Sequence, residues 1–426
     1  MHEREGNGEV NYVTSRECVE CGDCGPDDGI PEPETELDSR QRCGLERIEE
    51  DEARQLAVDL VAIASGPGSG TREVAEFLHA FLESRDIESQ IEAVHGQEHC
   101  NLVACLPGRE PGYGLMLNGH IDTVPDAKPP QHCHVAKGVL YGRGSADMKG
   151  GVAAMCMAIV NIGRSCQRLK RGVILTAVAG EEHGGFGTRS FLESGRRADL
   201  AIVGEPTNLG LVTAHKGVEW TRITVQGEPG HASRVNETGN AISCAARIAL
   251  LLERNVELST ARHPQLGGPT LNIGSFHGGA SPNVIPGTCE FTVDRRWLPC
   301  ESIEGIYETY EEAVAQVIKG VAGMSACVER CDETRHAVPV STPLSSRVVE
   351  ALRAVLEKRG LPSTPRGVSY ATDAAWLSSY GIPVAVLGPG DIAHAHSDRE
   401  FVDLRQVRIA SEIYTETILA ICGERS

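Results

Sequence analysis

Five short apolar runs constrain this chain most: Asn101–Cys105, Gly114–Asn118, Gly172–Val178, Leu200–Val203 and Pro383–Leu387. A strand with one wet face alternates apolar and polar residues. Several of these runs are continuously apolar and bounded by glycine, so both faces of their sheet must be covered. Helical patterns supply the cover. Leu45, Ile48, Leu56, Leu60 and Ile63 recur at helical spacing until Ser65-Gly66-Pro67-Gly68-Ser69-Gly70 stops the helix, and Thr71 to Ser84 carries a second amphipathic pattern. Strands alternating with helices predict an α/β fold, a helix-covered and mostly parallel sheet.

Between residues 214 and 330 the rhythm changes. A strand (Trp220–Gln226) leads to a helix (Ala241–Glu253), two strands (Thr270–Ser275 and Cys289–Val293), a helix (Ile303–Lys319) and a last strand (Ala326–Arg330). The order β-α-β-β-α-β describes a ferredoxin-like α+β unit. The first pattern resumes with a helix over Ser345–Arg359. The expected organisation is a discontinuous larger domain, 45–213 and 331–426, interrupted by a smaller inserted one, 214–330.

Composition removes several classes of function. The chain has 426 residues, 41% apolar and 23% charged, as in globular proteins. Its net charge of −19 argues against nucleic acid or an anionic membrane as partner, since both demand a basic face. No apolar stretch is long enough to cross a bilayer, and the opening MHEREGN lacks the basic-then-apolar pattern of an export signal. A cytoplasmic protein is expected, with its fifteen cysteines mostly reduced. Residues 1–50 hold fifteen acidic and five basic residues, the composition of a solvated tail, so 1–44 is expected to be disordered. Within it, Cys18, Cys21 and Cys24 are spaced C-x2-C-x2-C, with Cys43 further on. Such spacing can hold zinc or begin an iron–sulfur site, but the fourth cysteine is too distant for a ferredoxin run, and an unstructured extension is the favoured reading. An iron–sulfur protein would in any case show a visible chromophore.

The residues just past the apolar runs carry the chemistry. Gly114–Asn118 leads into Gly119-His120-Ile121-Asp122, Gly172–Val178 into Gly180-Glu181-Glu182, and Leu200–Val203 into Gly204-Glu205. Asp147 stands just ahead of a helix in GRGSADMKGG, and a loop with His394, His396 and Glu400 comes after Pro383–Leu387. Ligands of open α/β sheets bind at the carboxyl ends of strands. Here those ends offer imidazoles and carboxylates, a donor set for zinc, cobalt or manganese. His120, Asp147, Glu182, Glu205 and His396 are too many for one catalytic zinc and too few for two, unless a carboxylate bridges. Asp147, central in the set, is the natural bridge. Asp122 is spaced to accept the second N–H of His120, and Glu181, beside a ligand, is free to act as general base. His132 and His134 fall in a proline-rich loop and read as surface residues.

The ordered segments LNGHIDTVP, GRGSADMKGG, AGEE, VGEPT, EPGHAS, SPNVIP, TDAAWL and AHSDRE resemble the co-catalytic zinc amidohydrolase and peptidase family of acetylornithine deacetylase, succinyl-diaminopimelate desuccinylase, aminoacylase and carboxypeptidase G. The match runs from about residue 50 to 420. The resemblance implies two divalent metal ions, zinc first, in a catalytic domain interrupted by a lid domain that often makes a homodimer. It puts His120, Asp147 and Glu205 on one ion and Glu182, Asp147 and His396 on the other. The spacing from His396 to Glu400 selects His396 over His394. Glu181 becomes the base, His231 the oxyanion-stabilising histidine, and Asn283 and Arg296 substrate contacts. For Arg296 the competing reading is a salt bridge to Asp294. The expected activity is hydrolysis of the amide bond of an N-acyl amino acid. A dipeptidase or glutamate-type carboxypeptidase would use the same site, and a non-catalytic binding protein is the alternative outside enzymes. The cysteines of the tail receive no role from the family.

Overall fold

A computed structural model describes residues 50–126, 132–165, 167–234, 239–331 and 336–424. The tail cysteines Cys18, Cys21, Cys24 and Cys43, with Leu45 and Ile48 of the expected first helix, lie outside these residues. The chain enters through α1 (Glu50–Ala62), which buries Leu56 and Leu60. Helix α2 (Arg72–Glu83) buries Val74, Leu78 and Leu82, one residue per turn on one face.

The main sheet is built from β1 (Ser89–His95), β2 (His99–Leu106), β3 (Glu110–His120), β4 (Arg171–Val178), β5 (Ala198–Val203) and β6 (Val212–His215), joined by short strands from the end of the chain. Its order is β1-β2-β4-β3-β5, then Val384–Val386, β6 and Val340–Ser341, with Arg366–Val368 also beside β6. From β4 through β3 and β5 to Val384–Val386 all neighbours are parallel. The flanks at β1, β2 and Val340–Ser341 are antiparallel. Leu115–Leu117, Val173–Leu175 and Ala201–Val203 are buried without interruption, as a sheet covered on both faces requires.

Helix α3 (Gly150–Arg164) is buried all along Gly150–Ile162, which explains its lack of a polar face. A Cβ on Gly151 would meet the Gly204 carbonyl oxygen at 2.3 Å, so only glycine lets the first turn of α3 lie against the end of β5. Helix α4 (Phe186–Glu193) follows β4.

After β6 the chain crosses at Lys216 into a second sheet: β7 (Gly217–Gln226), α5 (Ala241–Glu257), β8 (Thr270–Gly278), β9 (Thr288–Trp297), α6 (Ile303–Ile318) and β10 (Ser325–Arg330). The order β8-β9-β7-β10, antiparallel throughout, is the ferredoxin-like arrangement expected from the β-α-β-β-α-β pattern. Cys289, Phe291 and Val293 alternate along β9 into a core shared with α5 and α6. The chain returns where Ala337 bridges Val218, and ends with α7 (Arg347–Lys358), α8 (Ala374–Ser379) and α9 (Leu404–Cys422). Among the described residues no helix is long and apolar enough to cross a membrane.

His215, at the end of β6, is fully buried; its Nδ1–H donates to the Lys216 carbonyl at 2.9 Å and Nε2 has no partner. Burial lowers its pKa to about 4. The fold therefore holds the neutral ring. This stability is present above the pKa of an unfolded histidine, about 6.5, and is lost as pH falls from there towards 4, a change of about 3 kcal/mol. In urea titrations near pH 7 and near pH 4.5, His215→Leu should lose less stability on acidification than the wild type. Equal losses would remove His215 from the acid sensitivity.

Candidate metal centre

Four parallel neighbours place four carboxyl ends on one edge of the sheet, and each delivers a polar residue there. His120 closes β3. Glu181 and Glu182 occupy the single turn Glu181–His183 after β4. Glu205 follows β5 by two residues, and His396 comes from the loop beyond Val384–Val386. Asp147 arrives from the turn Ser145–Lys149, which the close approach of α3 presses towards β5.

These side chains converge. His120 Nε2 lies 2.9 Å from Asp147 Oδ1 and 3.8 Å from Glu205 Oε1. His396 Nε2 lies 3.2 Å from Asp147 Oδ2 and 3.0 Å from Glu182 Oε1. The two oxygens of Asp147 thus face different histidines. Potential ligand atoms fall into the sets His120–Asp147–Glu205, Asp147–Glu182–His396 and His120–Glu181–Glu182, each within 4.8 Å. The first two are the sets that the family resemblance implies, and the third brings Glu181 alongside.

His396 has φ of 58°. A non-glycine residue in the left-handed region costs about 1 kcal/mol or more and is retained where the site demands it. Its rival His394 turns away, with its ring centroid 4.1 Å from that of Phe401. His134 lies on an exposed strand and stacks on Tyr141 at 4.9 Å.

The electrostatics fit cations. Burial pushes the Glu205 carboxyl well above its ordinary range, and the charge of Asp147 pushes it further. Burial also works against a charged Asp147, yet hydrogen bonds from His120 and His396 hold its carboxyl far below the usual value. Hydrogen bonds to Asp147 and Glu182 raise His396 to about 10. Three carboxylates crowded around two imidazoles carry more negative charge than the imidazoles can balance. Such nitrogen and oxygen donors can hold divalent metal ions, and among the described residues no thiol belongs to the group.

The support around the ligands differs in part from the expectation. His120 Nδ1 donates to the backbone carbonyl of Asp122 at 2.9 Å, whereas the Asp122 carboxylate is 3.7 Å away. That carboxylate is engaged elsewhere: it accepts the backbone N–H of Glu181 at 3.2 Å and of Glu182 at 3.1 Å, fixing the turn that carries both. The outcome for His120 is the same. A carbonyl can only accept, so Nδ1 keeps its proton, and Nε2, which donates to Asp147 here, is the nitrogen that could turn a lone pair towards a metal ion. Glu400, with no exposed surface, accepts the N–H groups of Ala146 and Asp147 at 3.0 Å and Arg143 Nη1 at 2.7 Å. It clamps the Asp147 turn, a role that its place in the AHSDRE segment did not disclose.

The substrate-contact candidates are elsewhere, on the inserted unit. His231 is exposed, pairs with Val284 across the two-stranded ribbon Gly230–His231/Val284–Ile285, and bonds Ser233 Oγ through Nδ1 at 2.8 Å. Asn283 borders that ribbon and its carbonyl accepts the N–H of Ala232 at 3.1 Å. These two are brought together, but neither belongs to the sets of ligand atoms. Arg296 engages Asp294 through two bonds of 2.7 and 2.9 Å, the salt bridge weighed against substrate binding.

Comparison with known proteins agrees with this picture. Residues 116–420 match the model of peptidase family M20/M25/M40. The chain is 32% identical over 385 residues to an acetylornithine deacetylase of Myxococcus xanthus, covering 87% of this chain and 98% of that protein. Among solved structures it resembles aminopeptidase PepT of Bacillus cereus, with a TM-score of 0.76 and 20% identity over 88% of this chain and 100% of the other. It also resembles the YXEP protein of Bacillus subtilis, described as a dinuclear metal-binding peptidase, with a TM-score of 0.67 and 18% identity over 87% and 97%. Those two likenesses speak to the fold. The family match, the deacetylase matched almost end to end and the clustered donors lead to one conclusion: the chain belongs to peptidase family M20/M25/M40 and is a hydrolase of carbon–nitrogen bonds.

Proposed function

We propose that this protein hydrolyses the amide bond of an N-acyl amino acid, as a deacetylase or desuccinylase, with two divalent metal ions. His120, Asp147 and Glu205 hold one ion and Asp147, Glu182 and His396 the other; zinc suits the donors best, with cobalt or manganese able to replace it. The observation that carries the reading is Glu181. It is 4% exposed, and a carboxylate oxygen lies within 4.8 Å of ligand atoms on His120 and Glu182. A carboxylate beside the donors, on a turn fixed by Asp122, suits a general base.

When bound, the metal pair supplies Lewis acidity to the scissile carbonyl and to a water. Glu181 takes the proton of that water as its oxygen adds to the carbonyl carbon. His231 donates to the oxygen that becomes negative. The carbon–nitrogen bond then breaks, and Glu181 returns the proton to the departing amine. Asn283 orients the substrate. Arg296 exchanges Asp294 for the substrate carboxylate, which its planar fork matches. The similarity to acetylornithine deacetylase favours an acylated amino acid over a peptide.

In the same reading, 45–213 with 331–426 is the catalytic domain and 214–330 a lid through which two copies dimerise. Exposed Leu250 on α5 and Phe276 on the edge strand β8 suit that contact. Sedimentation of the full chain should give a dimer, and a monomer would remove that surface from the proposal. An odd number of cysteines, fifteen, suits reduced thiols and so a reducing compartment such as the cytoplasm.

The test is turnover of zinc- or cobalt-loaded protein on N-acetylornithine, N-succinyl-diaminopimelate, other N-acyl amino acids and dipeptides, with and without chelator. Chelator-sensitive cleavage of an N-acyl amino acid is expected. Cleavage of dipeptides alone would replace the deacylase reading by a peptidase one. No cleavage by metal-loaded protein would point to a binding role.

A further inference from the structure

The inserted unit holds a pocket of about 530 Å³ between the end of α5 and the start of α6, sharing no residue with the metal centre. Arg295 of β9 and Tyr310 of α6 line it and are 5% and 2% exposed. Arg295 Nη2 donates to Glu301 Oε1 at 2.5 Å, but Nη1 has no partner, and neither has the Tyr310 hydroxyl. A buried polar atom left unpaired costs about 1–3 kcal/mol. Two around one pocket call for a group that would pair with them.

The remaining wall limits what that group is. Helix α6 begins at the pocket, capped by Ser302, whose hydroxyl accepts the Gly305 N–H at 3.1 Å; the positive end of its dipole faces an anion favourably. Glu301 adds a carboxylate next to Arg295, and it is the single acidic residue of the lining. Leu252 and Ile306 give an apolar side. A simple inorganic anion would gain from Arg295 and be repelled by Glu301. A zwitterion satisfies both.

We infer that this pocket binds a free α-amino acid with a short apolar side chain. Its carboxylate meets Arg295 Nη1 and the Tyr310 hydroxyl beside the start of α6, its ammonium group meets Glu301, and its side chain lies on Leu252 and Ile306. The inference is independent of the hydrolytic reading, because no residue of the proposed machinery takes part.

Cys300 lines the pocket and is exposed, whereas Cys327 is exposed on β10 outside it. Alkylation of the full-length protein by iodoacetamide, read at each cysteine by mass spectrometry, therefore reports occupancy. Saturating L-leucine should slow labelling of Cys300 by roughly tenfold and leave Cys327 unchanged, since protection scales with the bound fraction. Neither 4-methylpentanoate, which lacks the ammonium group, nor isoamylamine, which lacks the carboxylate, should protect. Thr309→Trp, which fills the pocket and leaves the Arg295 and Glu301 residues themselves unchanged, should abolish the effect while buried Cys244 stays unlabelled as a sign of intact folding. The inference is overturned if leucine, valine and alanine all leave Cys300 unprotected, or if both cysteines slow equally. It is also overturned if 4-methylpentanoate protects as well as leucine, or if Thr309→Trp is still protected.

Discussion

Asp147→Asn is expected to yield a protein that binds at most one metal ion per chain and loses activity by about a thousandfold or more, equivalent to about 4 kcal/mol of transition-state stabilisation. The size comes from position. The two oxygens of Asp147 lie 2.9 and 3.2 Å from histidines of different ligand sets, so one substitution removes a donor from both. Asparagine keeps the shape but offers one weak acceptor, and its NH2 group points donors at one of the two positions. Metal content by elemental analysis and turnover under saturating zinc are the readouts. A variant that retains two ions and works within about tenfold of the wild type would show that Asp147 does not bridge.

Glu181→Gln should separate the two functions of the adjacent glutamates. Turnover is expected to fall by about 10²–10⁴, the usual contribution of a positioned base, with little change in KM. Metal content should stay at two ions per chain. The side chain keeps its size, and the N–H of residue 181 still donates to Asp122, so the turn and Glu182 remain in place. Loss of an ion would instead make Glu181 a ligand, consistent with its place in the set with His120 and Glu182. Retained turnover would move the base to another residue.

The parts of the molecule legible in the sequence are those whose cause is local. Continuous apolar runs become β3, β4 and β5 because burial on both faces leaves no polar position to interrupt them. The inserted unit shows because its alternation of elements is complete within itself. The choice of His396 over His394 rests on the resemblance of the AHSDRE segment to the family motif. What stayed hidden depends on distant pairs. Arg143 and Glu400 meet across 257 positions, and nothing near either residue announces the clamp on Asp147. Asp122 lies close enough to His120 to suggest a carboxylate bond, but the turn at Glu181 outcompetes it with two backbone donors. The strands His134–Ala136, Val139–Tyr141 and Phe401–Asp403 have three residues each, too few to display a period. Helix α9 packs against α3, α1 and α7, and its buried side includes Ser411, Thr415 and Thr417, which break the apolar pattern that would mark it.

The sheet order also governs when this protein can become functional during its synthesis. Strands β5 and β6 are consecutive in the chain but stand apart in the sheet, leaving a slot that Val384–Val386 fills. Until that segment emerges, more than 160 residues after β6, both facing edges are unpaired and open to other chains. The same late segment brings His396. A chain that ends before that segment has neither a closed sheet nor the His396 donor. On the proposed reading, metal binding to the finished set would favour the state with the last strand in its slot, by mass action.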